Sequence, residues 1–103
     1  MAYKTTIVNK ETRIVFTRIK TEYHTDILTS SAGIVGLGVE PESILQIIPY
    51  YYANTKGGSP ANDISITIRA NADITQAILT AKTLTGTVLA NKYITYRLIY
   101  FNY

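Results

Sequence analysis

The chain has 103 residues, nine tyrosines, no cysteine and no tryptophan, and its formal charge of +3 comes from charged residues that make up only 17% of the sequence. That length fits one domain, 1–103, and the missing thiols exclude disulfide staples, a cysteine nucleophile and thiolate metal ligands. The basic residues, from Lys4 to Arg97, are scattered singly, so no run marks a nucleic-acid stripe or an anionic-membrane anchor, and nowhere do the roughly 18–20 apolar residues of a bilayer span occur.

Fifteen Ile, fifteen Thr and five Val make a third of the chain β-branched. Such residues are stiff at χ1 and fit a pleated, half-buried surface better than a helix. The expectation is an all-β fold. Met1–Thr6 lacks the apolar core of a signal peptide, which predicts a product made in the cytoplasm. Thr5–Val8 reads as a short first strand. Over residues 12–22, Ile14 and Phe16 alternate with Arg13, Val15 and Thr17. Ile19 then falls on the wrong face, which predicts a bulge near Thr17–Arg18.

Ser30-Ser31-Ala32-Gly33 and Glu40-Pro41-Glu42-Ser43 are breaks. Between them, Gly33-x-x-Gly36-x-Gly38 lacks the order of a dinucleotide loop, and Pro41 follows with no helix signal; structural glycines at a bend are the better account. Residues 43–53 run from Ile44 through Ile48 to Pro49-Tyr50-Tyr51-Tyr52-Ala53. Pro49 cannot donate to a ladder, so this strand is an edge there or is interrupted there. On a regular strand Tyr50 and Tyr52 share one side and Tyr51 takes the other.

Asn54–Asp63, with Gly57-Gly58 and Ser59-Pro60, is the strongest loop. Ile64, Ile66 and Ile68 then alternate with Ser65, Thr67 and Arg69, the cleanest strand of the chain. Residues 74–81 fit a strand, and Ile74, Ala77, Ile78 and Ala81 also fit a helical face that Asp73 would cap; strand is the expectation by analogy with the rest. Leu84–Leu89 reads as a further strand. At the end, Ile94, Tyr96, Leu98 and Tyr100 face one side, and Thr95, Arg97, Ile99, Phe101 and Tyr103 the other. That second side is apolar near its end and predicts contact with another sheet or subunit.

Chemistry-bearing residues are sparse. His24 is the sole histidine. Its neighbours Glu22, Asp26, Ser30 and Ser31 show no triad spacing, and His24 with Asp26 supplies only two metal ligands. Glu40 and Glu42 flank Pro41 on one segment, whereas a glycosidase pair comes from separate elements across a cleft. No catalytic residue, metal or cofactor is assigned, and an enzyme is not expected. The tyrosines carry the sharper hypothesis: a flat apolar ring, a hydroxyl and few rotatable bonds suit protein interfaces and stacking on sugars.

The later segments Ser43-Ile44-Leu45-Gln46, Tyr50-Tyr51-Tyr52, Asp63-Ile64-Ser65-Ile66-Thr67-Ile68-Arg69 and Tyr93–Phe101 together resemble the small β-sandwich modules of tailed-bacteriophage virion proteins, of tail-fibre, baseplate and head-decoration type. Tyr96-Arg97-Leu98-Ile99-Tyr100 is similar to the closing strand of those modules. The resemblance spans residues 43–103 and rests on pattern. It implies an oligomeric virion component, frequently trimeric, without catalysis. Fibres of that kind usually carry a long shaft or anchor, so the expectation here is a compact decoration, connector or fibre-tip subunit.

The reading is therefore an antiparallel two-sheet sandwich of jelly-roll type with about eight short strands. Its expected role is structural assembly in a phage-like virion, made in the host cytoplasm, as a homo-oligomer with trimer favoured. Expected interface residues are Tyr50, Tyr51, Tyr52, Tyr100, Phe101 and Tyr103. Neither nucleic acid nor membrane insertion is expected. The alternative is a carbohydrate-binding module for a cell-surface glycan, stacking sugars on the tyrosines and reading them with Asn54, Asn62 and Asp63.

Overall fold

Two three-stranded antiparallel sheets carry most of the structure, a computed structural model that describes residues 18–102. In chain order the strands are β1 (Ile19–Leu28), β2 (Ile34–Gly36), β3 (Ile44–Ala53), β4 (Ser65–Ala70), β5 (Ala77–Lys82) and β6 (Tyr93–Phe101). The first sheet has the order β1-β6-β3 and the second the order β2-β5-β4. The chain changes sheet at every connection except β4 to β5, which are neighbours in one sheet.

Period-two patterning explains how the sheets meet. On β6, Ile94, Tyr96 and Leu98 are buried, and on β5 so are Ala77, Leu79 and Ala81. Together with Val35, Ile64 and Leu89, most of these form one apolar cluster that draws on both sheets. Each fully buried Leu or Ile contributes about 1.5–3 kcal/mol over leaving it in water. The all-β expectation holds: strands dominate, and the helical element among the described residues is a 3-10 turn at Pro41–Ser43.

Local chemistry ties the connections down. The buried hydroxyl of Thr29 donates to the Leu89 carbonyl at 2.5 Å and accepts from the Lys92 N–H at 3.0 Å, which fastens the end of β1 to the start of β6. Gly33 sits at φ +74°; a Cβ there would meet Val88 Cγ1 at 2.8 Å and the Ala81 carbonyl at 2.9 Å. Only glycine takes that conformation in that space.

Several expectations change in detail. Six strands are present among the described residues, against about eight expected. Thr5–Val8 and Arg13–Thr17 lie outside the described residues. From Ile19 to His24, β1 pairs with β6 without a shift, and its irregularity falls between His24 and Ile27, where Asp26 has φ 53°. Residues 74–81 are strand only from Ala77: Asn71 Oδ1 accepts from the N–H groups of Thr75 and Gln76 and holds Asp73–Gln76 in a turn. Leu84–Leu89 is not a strand. Thr83 and Thr87 close a turn through their backbones and the Thr83 hydroxyl, with Gly86 at φ +97°, leaving only an isolated bridge from Val88 to Lys82.

Candidate functional site

The outer face of the first sheet, turned away from the core, carries Tyr23 and Tyr51. Cross-strand pairs of an antiparallel sheet share a face, so its occupants follow from the register. Alternating with buried Leu98, β6 presents Arg97, Ile99 and Phe101 outward. Their partners are Tyr23, Thr21 and Ile19 on β1, and Arg97 and Ile99 oppose Ile48 and Gln46 on β3. Tyr51, opposite Thr95, belongs to the same face.

Arg97 is at its centre. Its guanidinium lies over the Tyr23 ring, 5.5 Å from the centroid, and Nη1 donates to the Tyr23 hydroxyl at 3.0 Å. That acceptor pushes the guanidinium above its already high pKa. The Tyr23 side is open, at 66% exposure. Arg97 Nε has no partner, the one buried side-chain polar atom so placed among the described residues. Arginine over tyrosine at the centre of an apolar patch is the composition of an interface hot spot.

Two register shifts on β3 decide where its tyrosines go. One falls between Ile44 and Gln46, the other between Pro49 and Tyr51. Each inserts one extra residue, which leaves Leu45 and Tyr50 exposed. β3 is an edge strand, and Pro49 adjoins the second shift, as a proline that cannot donate requires. Beyond that shift Tyr52 opposes Ile94 and packs against the core. Tyr50 and Tyr52 therefore do not share a face in the simple way that strict alternation gives.

The remaining predicted residues spread out. Tyr100 packs against the core rim and its hydroxyl donates to Glu22 Oε2 at 2.8 Å. This bond holds the Glu22 carboxyl below its usual value and raises the Tyr100 phenol. Glu22 Oε1 meets His24 Nε2 at 3.0 Å, and the His24 ring stacks on Tyr96 with centroids 5.0 Å apart. Phe101 lies on the outer face, half-buried. Asn54 and Asn62 are exposed on the long loop, and Asp63 Oδ1 accepts from the Leu84 N–H at 2.8 Å, bracing the Thr83–Thr87 turn. Tyr103 lies outside the described residues.

Arg97 and Ile99 stand on the side of the last strand expected to meet another sheet or subunit, whereas Tyr23 and Ile48 are residues that the sequence reading did not place there. Their signal is the pairing of Tyr23 and Ile48 with Arg97, visible only once β1, β6 and β3 are paired. Among the described residues no group of three or more His, Asp or Glu is placed to hold a metal ion, and no helix is long and apolar enough to cross a membrane. No family model, curated protein or solved structure matches this chain.

Proposed function

We propose that this protein is a structural subunit that self-associates through the outer face of its first sheet, as an assembly component of a phage-like particle. The observation that carries the reading is the makeup of that face: Tyr23, Tyr51, Ile48, Ile99 and Arg97 stand where a solvated sheet carries Thr, Ser and Lys. A sheet face of that composition marks a contact surface. The fold is read as a jelly roll, with six of its strands among the described residues. Its support is the pairing of β1 with β6 and β2 with β5, the nesting of a long hairpin, and the alternation of the chain between sheets. The virion setting follows from the resemblance of residues 43–103 to phage modules, which favours a trimer.

Sedimentation velocity at micromolar concentration tests the proposal. The wild-type chain is expected to run as an oligomer, and Tyr51→Ala is expected to weaken it by about tenfold in dissociation constant, the equivalent of 1.4 kcal/mol. A wild-type chain that stays monomeric and binds a glycan array would replace this reading with the carbohydrate-binding one.

A further inference from the structure

Around Arg97 the register of the three strands sets Ile19, Thr21, Tyr23, Gln46, Ile48, Tyr51, Ile99 and Phe101, none of them a carboxylate, while Asp26 falls in the β1 irregularity opposite Thr95, beyond Tyr23. Two copies joined about a two-fold axis that passes through Arg97 would set one guanidinium against the other across a desolvated contact, where like charges repel strongly. An isologous contact centred there is therefore disfavoured, and a complement to the charge is to be sought on a different surface.

The same chain has one. Glu40 and Glu42 flank Pro41 in the turn that leads into β3, both are exposed, and neither is in an ion pair among the described residues. Beside them stands Ile74, 74% exposed and at φ 58°, a conformation that a β-branched residue adopts only under strain. Glu40, Pro41, Glu42, Ile74 and Thr75 line an open notch of about 260 Å³. This tip is acidic and apolar where the sheet face is basic and aromatic.

Arg97 cannot satisfy the tip within its own chain. The Glu40 turn lies against Tyr100, Phe101 and Asn102, and four residues along β6 separate Phe101 from Arg97, about 13 Å at the rise of a strand. We infer that the acidic tip of one copy, Glu40 and Glu42 with Ile74, docks on the Arg97–Tyr23 face of the next, so that the protein assembles head to tail. A head-to-tail contact closes into a ring when its rotation allows and runs on as a fibre when it does not. This inference rests on the proposed self-association and adds its geometry.

Charge exchange tests it, read by sedimentation velocity with far-ultraviolet circular dichroism as the check on folding. Arg97→Glu alone, and Glu40→Arg with Glu42→Arg, should each weaken association by at least about tenfold. The chain carrying all three changes should recover it, because every contact again joins opposite charges. Where a reversal disturbs folding, Arg97→Gln and the pair Glu40→Gln with Glu42→Gln take its place; each should weaken association and flatten its dependence on salt. An oligomer that is indifferent to Arg97→Glu, or folded chains that fail to recover in the triple variant, overturn the head-to-tail contact and leave self-association standing. A wild-type chain that is monomeric throughout removes both.

Discussion

The outward faces of the two sheets are built by the same alternation from different residues. On the second sheet, Ser65, Thr67 and Arg69 of β4 lie across from Lys82, Thr80 and Ile78 of β5, with Ile34 and Gly36 of β2 on the far side. Two isoleucines aside, its side chains are small or polar and free of aromatic rings. On the first sheet the equivalent positions hold Tyr23, Arg97, Ile99, Ile48 and Tyr51. Strand formation does not ask for that difference, since threonine and isoleucine are both good strand residues. The inward faces already supply the core. Under the proposed self-association, the excess of apolar area on the first sheet answers to what that sheet meets, so stability is expected to depend on the faces between the sheets and association on the face outside them.

The largest effects should come from the inward faces. Leu79 and Leu98 are fully buried, one in each sheet. Truncating either to Ala removes buried surface and leaves a cavity, and is expected to lower unfolding free energy by about 2–5 kcal/mol in urea titrations. An effect below about 1 kcal/mol at both positions would mean that the sheets do not share a tightly packed core.

Tyr96 sharpens the same point through pH. It is 2% exposed, and burial pushes its phenol from 10.0 up to about 12. The unfolded chain releases this proton near pH 10 and the folded chain only near pH 12. The stability that the buried neutral phenol supports is thus complete below pH 10 and is lost as pH rises through the folded value. Unfolding midpoints should fall across that window by the equivalent of about 2–3 kcal/mol, and Tyr96→Phe should flatten the decline. A decline of the same size in Tyr96→Phe assigns the effect to other groups.

How much of this was legible beforehand depends on what each residue answers to. β6 was readable over Tyr93–Phe101: Ile94, Tyr96 and Leu98 are buried as the alternation requires, with Thr95 buried on the other side as well. β4 was readable as a strand, with Ile64 buried before it and Ile66 packed against the core, although Ile68 at the same parity is exposed. The tyrosine triplet was only half readable, because a single extra residue after Pro49 exchanges the faces of all that follows, and a bulge leaves no mark in composition. Leu84–Leu89 misled because threonine serves two purposes. At Thr83 its hydroxyl accepts from the Thr87 N–H at 3.0 Å and builds a turn, competing with the strand that its branching favours. Tyr23 and Arg97 are remote in sequence and meet only through the β1–β6 register, which no local window contains.

Matched substitutions on the two outward faces come next in size, and they test the contrast directly. Ile99→Thr gives the first sheet the residue type of the second; Ile78→Thr makes the same change on a face that carries no aromatic ring. Both sites are solvent-side, so both are expected to leave monomer stability within about 0.5 kcal/mol. Only Ile99→Thr should weaken self-association, by several-fold in sedimentation. Equal weakening by both changes would show that the second sheet is also a contact surface and that the two faces differ in composition without differing in use.

The smallest effect belongs to the edge of the first sheet, where Glu22, His24 and Tyr100 stand on the core-facing side of β1 and β6 beyond the cover of the second sheet. The Tyr100 hydroxyl holds the Glu22 carboxyl below the usual carboxylate value. A depressed carboxyl contributes stability that is present above the unfolded value and lost as pH falls through the folded one. The Glu22 side chain is 45% exposed, so solvent screening keeps the contribution below about 1 kcal/mol. Between pH 6 and pH 3, Glu22→Gln should therefore lose slightly less stability than the wild type in parallel urea titrations. A variant that loses more over that interval would mean that protonating this carboxyl stabilises the edge, and the polar corner would then have to be read as strained in its charged form.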